Sequence, residues 1–301
     1  MMENELLHSI YSGLRMNLSH REIALHNGCS TYKVDRASQV KPTRVMFFSD
    51  SHCGSHVGLT PPAYQYPIIE SPSSEEHRRR NKWAKLQREC WGWFTTKVEA
   101  ISPIDKLYCL GDLIDGNGVF SGGTEQITTD RQVQVAMAIE ALEHIEVNDR
   151  SFVFGTGVHT GKDEDFEMQI ADHFKTKIGS HEWENVNGCC FDLKHHQSGT
   201  KNPFTSLYND IIANREWASV GEQPKADVLV RAHTHKFCLG RTEDCIGLSL
   251  PALSGYGSKY GQRRCTRKVN FGLVFFDVWP DGVCVEHVFI ANLKSHKTHI
   301  N

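Results

Sequence analysis

The chain has 301 residues, with 33 Lys and Arg against 36 Asp and Glu for a formal net charge of −3. This ordinary composition suits one large α/β domain with a small appendage. No apolar stretch approaches the roughly 20 residues that span a bilayer, and Met1-Met2-Glu3-Asn4-Glu5 lacks the basic start and apolar centre of a secretory signal, so a cytoplasmic protein is predicted.

The first predicted elements are two short helices within residues 18–37. Ser19 followed by Glu22 makes a capping box, opening a helix with Ile23 and Ala24 turned inward. Gly28 supplies a tight turn, Cys29 packs, Ser30 caps the next helix, and Val34 and Ala37 face back to the core. The pattern resembles a helix-turn-helix and leaves Thr31, Tyr32, Lys33 and Arg36 exposed as DNA-facing groups. Against this, Arg15, Arg21, Lys33, Arg36 and Lys41 are nearly balanced by Glu3, Glu5, Glu22 and Asp35, and a near-neutral module neutralises phosphate poorly. A helical cap packed on the rest of the chain is the equal alternative. Residues 38–43 read as the linker, dividing residues 1–40 from a catalytic domain over 44–293.

Strand-length apolar runs follow, and each ends in a chemistry-bearing motif. Val45-Met46-Phe47-Phe48 leads to Asp50-Ser51-His52, and Leu107-Tyr108-Cys109-Leu110 to Gly111-Asp112-Leu113-Ile114-Asp115. Phe152-Val153-Phe154 leads to Gly155-Thr156-Gly157-Val158-His159, Cys190-Phe191-Asp192-Leu193 to Lys194-His195-His196, and Val228-Leu229-Val230 to Ala232-His233-Thr234-His235. Residues two apart on an extended segment point the same way, so Asp50 with His52, and His233 with His235, are expected to serve one site. The same alternation through Phe191 and Leu193 favours His195 over His196.

Between these motifs, residues 74–101 form a predicted helix whose Trp83, Leu86, Trp91, Phe94 and Val98 are core rather than a stacking platform. Its basic opening, His77 to Lys82, and a second group, Arg263 to Lys268 after the Gly-rich stretch from Gly255 to Gly261, are candidate phosphate contacts. Two strands, 272–278 and 283–288, flank a turn at Pro280-Asp281-Gly282 and read as a hairpin closing a second sheet, followed by a loose tail from Lys294. The 10 cysteines are scattered without a C-x-x-C pair and read as small buried hydrophobes, Cys53 and Cys109 included.

Carboxylate and imidazole together suit divalent Mn, Fe, Ni or Zn, and a carboxylate can bridge two ions. The ordered set D-x-H, G-D-x-x-D, G-(x)-H, H and H-x-H closely resembles the calcineurin-like metallophosphoesterase superfamily over roughly residues 44–290. The stretch from Arg231 through Asp281-Gly282 is similar to phage-type members, for which residence is the host cytoplasm. The resemblance implies a four-layer α-β-β-α sandwich and two divalent ions hydrolysing phosphomonoesters or phosphodiesters, nucleic acid among the candidate substrates, with no membrane partner. One ion would take Asp50, His52, Asp112 and His235; the other, Asp112, His195 and His233. Asp115 would orient a ligand, and His159 would stand beside the leaving oxygen as proton donor. Where the family carries Asn after its third strand this chain has Thr156, so Thr156, a nearby acid (Asp163 or Glu164) or a water completes the second site. The rival function is a DNA-binding regulatory protein whose altered third motif weakens the hydrolytic site.

Overall fold

Alternation along the central strands explains the layering. In β1 (Thr43–Phe48), Val45 and Phe47 point to one face and Met46 and Phe48 to the other, and all four are essentially buried. A strand apolar on both faces needs a layer on each side. The computed structural model, which describes residues 2–119, 121–161, 165–199, 202–256 and 269–294, supplies both.

On one side, Met46 and Phe48 join Leu107 and Cys109 of β2 (Lys106–Cys109), Phe152 of β3 (Asp149–Val153), and the helices α4 (Glu75–Ile101), α5 (Arg131–Glu143) and α7 (Phe166–His173). On the other, Val45 and Phe47 meet a second sheet through Val186 of β5 (Glu182–Val186), Phe191 and Leu193 of β6 (Cys189–Leu193), and Val228 and Val230 of β7 (Val228–Arg231). That sheet is completed by β8 (Cys238–Arg241) and β9 (Ile246–Ser249), and its outer face carries α8 (Pro203–Ser219) through Leu207 and Ile211. The architecture is a four-layer α-β-β-α sandwich.

The first sheet runs β11-β10-β1-β2-β3-β4, with β4 at Ile178–Gly179, β10 at Gly272–Val278 and β11 at Cys284–Ile290; the second runs β5-β6-β7-β9-β8. The strands β1, β2, β3 and β4 are parallel neighbours, as are β6, β7 and β9, so the loops that follow β1, β2 and β3 leave one edge of their sheet together. The hairpin expected to close the second sheet instead belongs to the first, where β10 pairs antiparallel with β1 from Thr43↔Val278 to Phe47↔Val274. Without β10, the backbone groups along that side of β1 would be an open edge.

The amino-terminal helices, α1 (Met2–Arg15), α2 (His20–His26) and α3 (Thr31–Ser38), enclose Ile10, Tyr11, Ile23, Ala24, Val34 and Ala37. The capping box is present, with Glu22 Oε2 accepting from Ser19 N at 2.9 Å, whereas the Ser30 hydroxyl makes no capping bond to α3. The three helices pack on the hairpin turn: Tyr11 lies 5.8 Å from the Trp279 ring, and Arg15 Nη1 donates to both Asp281 oxygens at 3.1 Å. Among the described residues no helix is long and apolar enough to cross a membrane, and the cysteines are free. The basic group Arg263 to Lys268, the end of the Gly-rich stretch before it, and the tail beyond Lys294 lie outside the described residues.

Phe47, 2% exposed, touches Tyr108, Phe191 and Phe276 with ring centroids 5.7, 6.1 and 5.9 Å away, which makes it the aromatic bridge between the sheets. Phe47→Ala is expected to destabilise the protein by about 3–5 kcal/mol, the usual cost of a cavity of that size. Urea denaturation followed by circular dichroism measures it, and a loss below about 1 kcal/mol would show that the sheets close over the gap.

Candidate metal centre

Backbone conformation singles out the site before any side chain is considered. Asp50, His52, Asp112, His233 and His235 all have φ between 43° and 70°, a left-handed conformation that side chains other than glycine seldom adopt. Such strain persists where surrounding contacts over-determine it, and it concentrates at functional sites. The extended geometry expected to align Asp50 with His52, and His233 with His235, is therefore absent: β1 ends at Phe48 and β7 at Arg231, and these pairs are aimed by coiled loops.

Those loops are laced together. Asp50 N donates to Gly111 O and His52 N to Asp112 O, each at 3.0 Å, and Thr156 N donates to Asp112 Oδ1 at 2.6 Å. Gly155 allows this approach, because a Cβ there would stand 2.3 Å from Asp112 Oδ1. Glu167, fully buried on α7, closes the arrangement: Oε1 accepts from Leu113 N and Oε2 from Gly155 N, both at 2.7 Å. From the second sheet, Ala232 N donates to His195 O at 2.9 Å, and His233 N donates to Asp50 Oδ2 at 3.3 Å. Beneath them the buried Arg231 donates to Asp192 at 2.7 Å and to Asp210 at 3.1 Å.

The ligand-type atoms fall into three overlapping groups, each within 4.8 Å: Asp50, His52 and His235; His52, Asp112 and His159; Asp112, His195 and His233. Asp112 and His52 each belong to two groups. His195 is 2% exposed with Nε2 at 3.2 Å from Asp112 Oδ2, whereas His196 is exposed, outside all three groups, with its ring 4.3 Å from that of His233. Asp115 lies behind His52, its Oδ1 3.5 Å from His52 Nδ1 and its Oδ2 accepting from Gln126 Nε2 at 2.8 Å. The Thr156 hydroxyl donates to Asp112 Oδ1 at 3.0 Å and retains an oxygen lone pair. Asp163 and Glu164 lie outside the described residues.

Hydrogen bonding turns the bare side of each imidazole inward. His195 Nδ1 faces Leu110 O at 2.5 Å and His159 Nδ1 faces Asp115 O at 2.8 Å, so each donates from Nδ1 and offers Nε2 as a lone pair. Asp50 Oδ1 and His195 Nε2 are buried without a hydrogen bond, and the nearest neighbour of Asp50 Oδ1 is His235 Nε2 at 3.3 Å. His52 Nε2 and His235 Nε2 face each other at 3.1 Å. Buried acceptors left without donors are rare, and here they converge. Divalent ions fit this donor set of carboxylates and imidazoles, since a cation satisfies every one of these atoms at once.

Electrostatics agrees with the geometry. Burial opposes ionisation of Asp50, but the facing His235 and His195 outweigh it and draw the carboxyl down to about 2. Asp112 is likewise held well below the usual range by His195 and His233 despite its burial. Burial also disfavours the charged form of His195, yet Asp112 and Asp50 raise it to about 9. Glu167 moves the other way: burial and the Asp112 charge push it up to about 8, against the two N–H donors. Burial takes the Cys53 thiol up to about 12, which suits packing rather than ligation.

No protein-family model matches the chain, and no curated protein does. Solved structures that match include a single mutant of Vps29 from Entamoeba histolytica, at 12% identity over 82% of this chain and 99% of that one, TM-score 0.41. An archaeal phosphodiesterase matches at 11% identity over 82% of this chain and 100% of its own, TM-score 0.41. Yfce, a phosphoesterase from E. coli, matches at 15% over 81% and 98%, TM-score 0.40. At such identities activity does not transfer, so what the site does is read from its own chemistry.

Glu167 escapes motif reading because it is one acid among several in Lys162-Asp163-Glu164-Asp165-Phe166-Glu167. The signal is its place on the apolar face of α7, buried with Phe166, Ile170 and Ala171. Its raised value carries a pH signature. Between the ordinary 4.5 and about 8 the native protein retains a proton that the unfolded chain has released, so this contribution to stability is full below 4.5 and is lost as pH rises through 8. For chelator-treated protein, urea midpoints at pH 5, 6.5 and 8 are expected to decline more steeply in wild type than in Glu167→Gln. Parallel slopes would show that Glu167 is ionised throughout.

Proposed function

We propose that the chain is a divalent-metal-dependent phosphoesterase with two ions bridged by Asp112. The observation that carries this reading is the convergence of bare imidazole nitrogens on two buried carboxylates, one of which belongs to two ligand groups. Asp50, His52, Asp112 and His235 would hold the first ion, and Asp112, His195 and His233 the second. Bound there, the ions supply Lewis-acid activation of a phosphate ester and of the water that attacks it.

The chain's own residues perform the remaining tasks. Asp115 orients His52 by accepting at Nδ1, which keeps Nε2 aimed inward. Thr156 holds Asp112 through its amide and hydroxyl, and its free lone pair completes the second ligand set. His159 is tied through Nδ1 to the Asp115 carbonyl, and with a quarter of its side chain exposed it presents Nε2 where a leaving oxygen would emerge. There it releases a proton to that oxygen. The loops after both sheets enclose the cluster and exclude bulk water from Asp50 and Asp112, which are 0% and 1% exposed. The second set contains His233, whose side chain is 42% exposed, so its ion is the more weakly held.

Purified protein is expected to bind close to two divalent ions, with a chelator removing the second set's ion first, and to hydrolyse an aryl phosphate or phosphodiester. Asp112→Ala should lower metal content and abolish hydrolysis. Full activity in that variant would sink the bridged site. His159→Ala should keep its metals and lose roughly 10²- to 10⁴-fold in rate, the range for an acid-base group. Metal analysis separates this from ligation, since loss of an ion in the His159 variant would place that residue in the ligand set.

A further inference from the structure

We infer that the outward face of α3, together with Arg21 and Lys41 beside it, is a docking surface for duplex DNA. This stands on the amino-terminal helices alone and is independent of the hydrolytic reading. Along α3, Val34 and Ala37 turn inward onto Ile10, Tyr11, Ile23 and Ala24, which leaves Thr31, Tyr32, Lys33, Asp35 and Arg36 exposed. A helix about 10–12 Å across with its side chains matches a major groove about 12 Å wide. The approach is unobstructed by the capping box, which lies at the far end of α2 and ties Ser19 to Glu22.

Local pairing changes the charge balance that the composition suggests. Glu22 is occupied at the capping box, where Oε2 accepts from Ser19 N at 2.9 Å and from its hydroxyl at 2.6 Å. Asp35 is matched by His20, Nδ1 to Oδ1 at 2.5 Å. The cations are not matched: among the described residues no carboxylate pairs with Arg21, Lys33, Arg36 or Lys41, and all four are exposed. Four free cations beside a protruding helix complement a phosphate backbone, which dominates affinity for DNA. Tyr32, 66% exposed between Thr31 and Lys33, adds a large side chain able to lie against the groove wall or a base edge.

The mounting is firm, as a docking element needs. Arg15 does not join the free cations; it forks onto Asp281 and lies 5.6 Å from the Trp279 ring centroid, and His8 reaches Asp281 at 2.9 Å. DNA held on α3 is thereby held at a fixed position relative to the sheets.

The test is fluorescence anisotropy of the full-length protein with a labelled duplex across a salt series. Micromolar binding is expected, with log affinity falling against log salt with a slope of about −3 to −4, the value for about four neutralised phosphates. Lys33→Ala/Arg36→Ala should weaken binding at least about tenfold at low salt and flatten the slope by nearly two. Lys33→Glu should weaken it further, and hydrolysis of a small aryl phosphate should be unchanged in both. Lys177→Ala, beside β4 at the opposite edge of the first sheet, should bind as wild type does. Absent binding, salt-insensitive binding, equal losses in the Lys177 control, or preference for a single strand would each overturn the proposal; circular dichroism confirms that the variants are folded.

Discussion

Asp112 is a nearly inaccessible carboxylate whose two oxygens face opposite demands. Oδ1 accepts the amide and hydroxyl of Thr156, while Oδ2 meets the ring nitrogens of His195 at 3.2 Å and of His159 and His233 at 3.9 Å. Burying a charge of this kind costs several kcal/mol even after relaxation, and a hydrogen bond to a charged group returns about 1.5–3. Two donors on one oxygen therefore offset a large part of the cost but leave the other oxygen dependent on positive charge. The left-handed turns, the close approach of Gly155 and the burial of Glu167 all serve to hold that carboxylate where imidazoles from the other sheet can reach it.

Much of this was legible in the sequence because the informative residues follow short apolar runs, and a parallel strand buried on both faces has a recognisable composition. Asp50, His52, Asp112, His195, His233 and His235 lie together at strand ends, as the order of the motifs suggests. The means of their alignment was not legible: period-two reasoning assumes extended backbone, and these residues sit in turns whose φ is set by tertiary hydrogen bonds. Glu167 was missed for a related reason, since its partners are backbone amides of two distant loops that carry no side-chain signature. The sheet to which β10 belongs was also misjudged. Alternating hydrophobicity identifies a strand but not its neighbour, and β10 finds β1 only across the whole length of the chain.

The same limit applies to the amino-terminal helices. Counting charges makes residues 1–43 nearly neutral, but neutrality in a sum does not locate the pairs. His20 with Asp35, and Arg15 with Asp281, are partners that sequence distance conceals, the second pair 266 residues apart. Once they are removed from the count, the remaining cations are no longer balanced one for one.

The ligand cluster straddles the division between the two sheets, with Asp50, His52 and Asp112 on loops of the first and His195, His233 and His235 on loops of the second. His52 and His235 meet across 183 residues of sequence. Contacts of that separation form late in folding, because the closure entropy of the long loop comes before any gain. Each half of the chain can thus acquire its own sheet before the imidazoles and carboxylates are opposed, and whatever joins them last acts as a rivet between two preformed halves. Assembly of the centre and closure of the sandwich are then one event, so the order in which the halves meet governs when the protein first becomes competent.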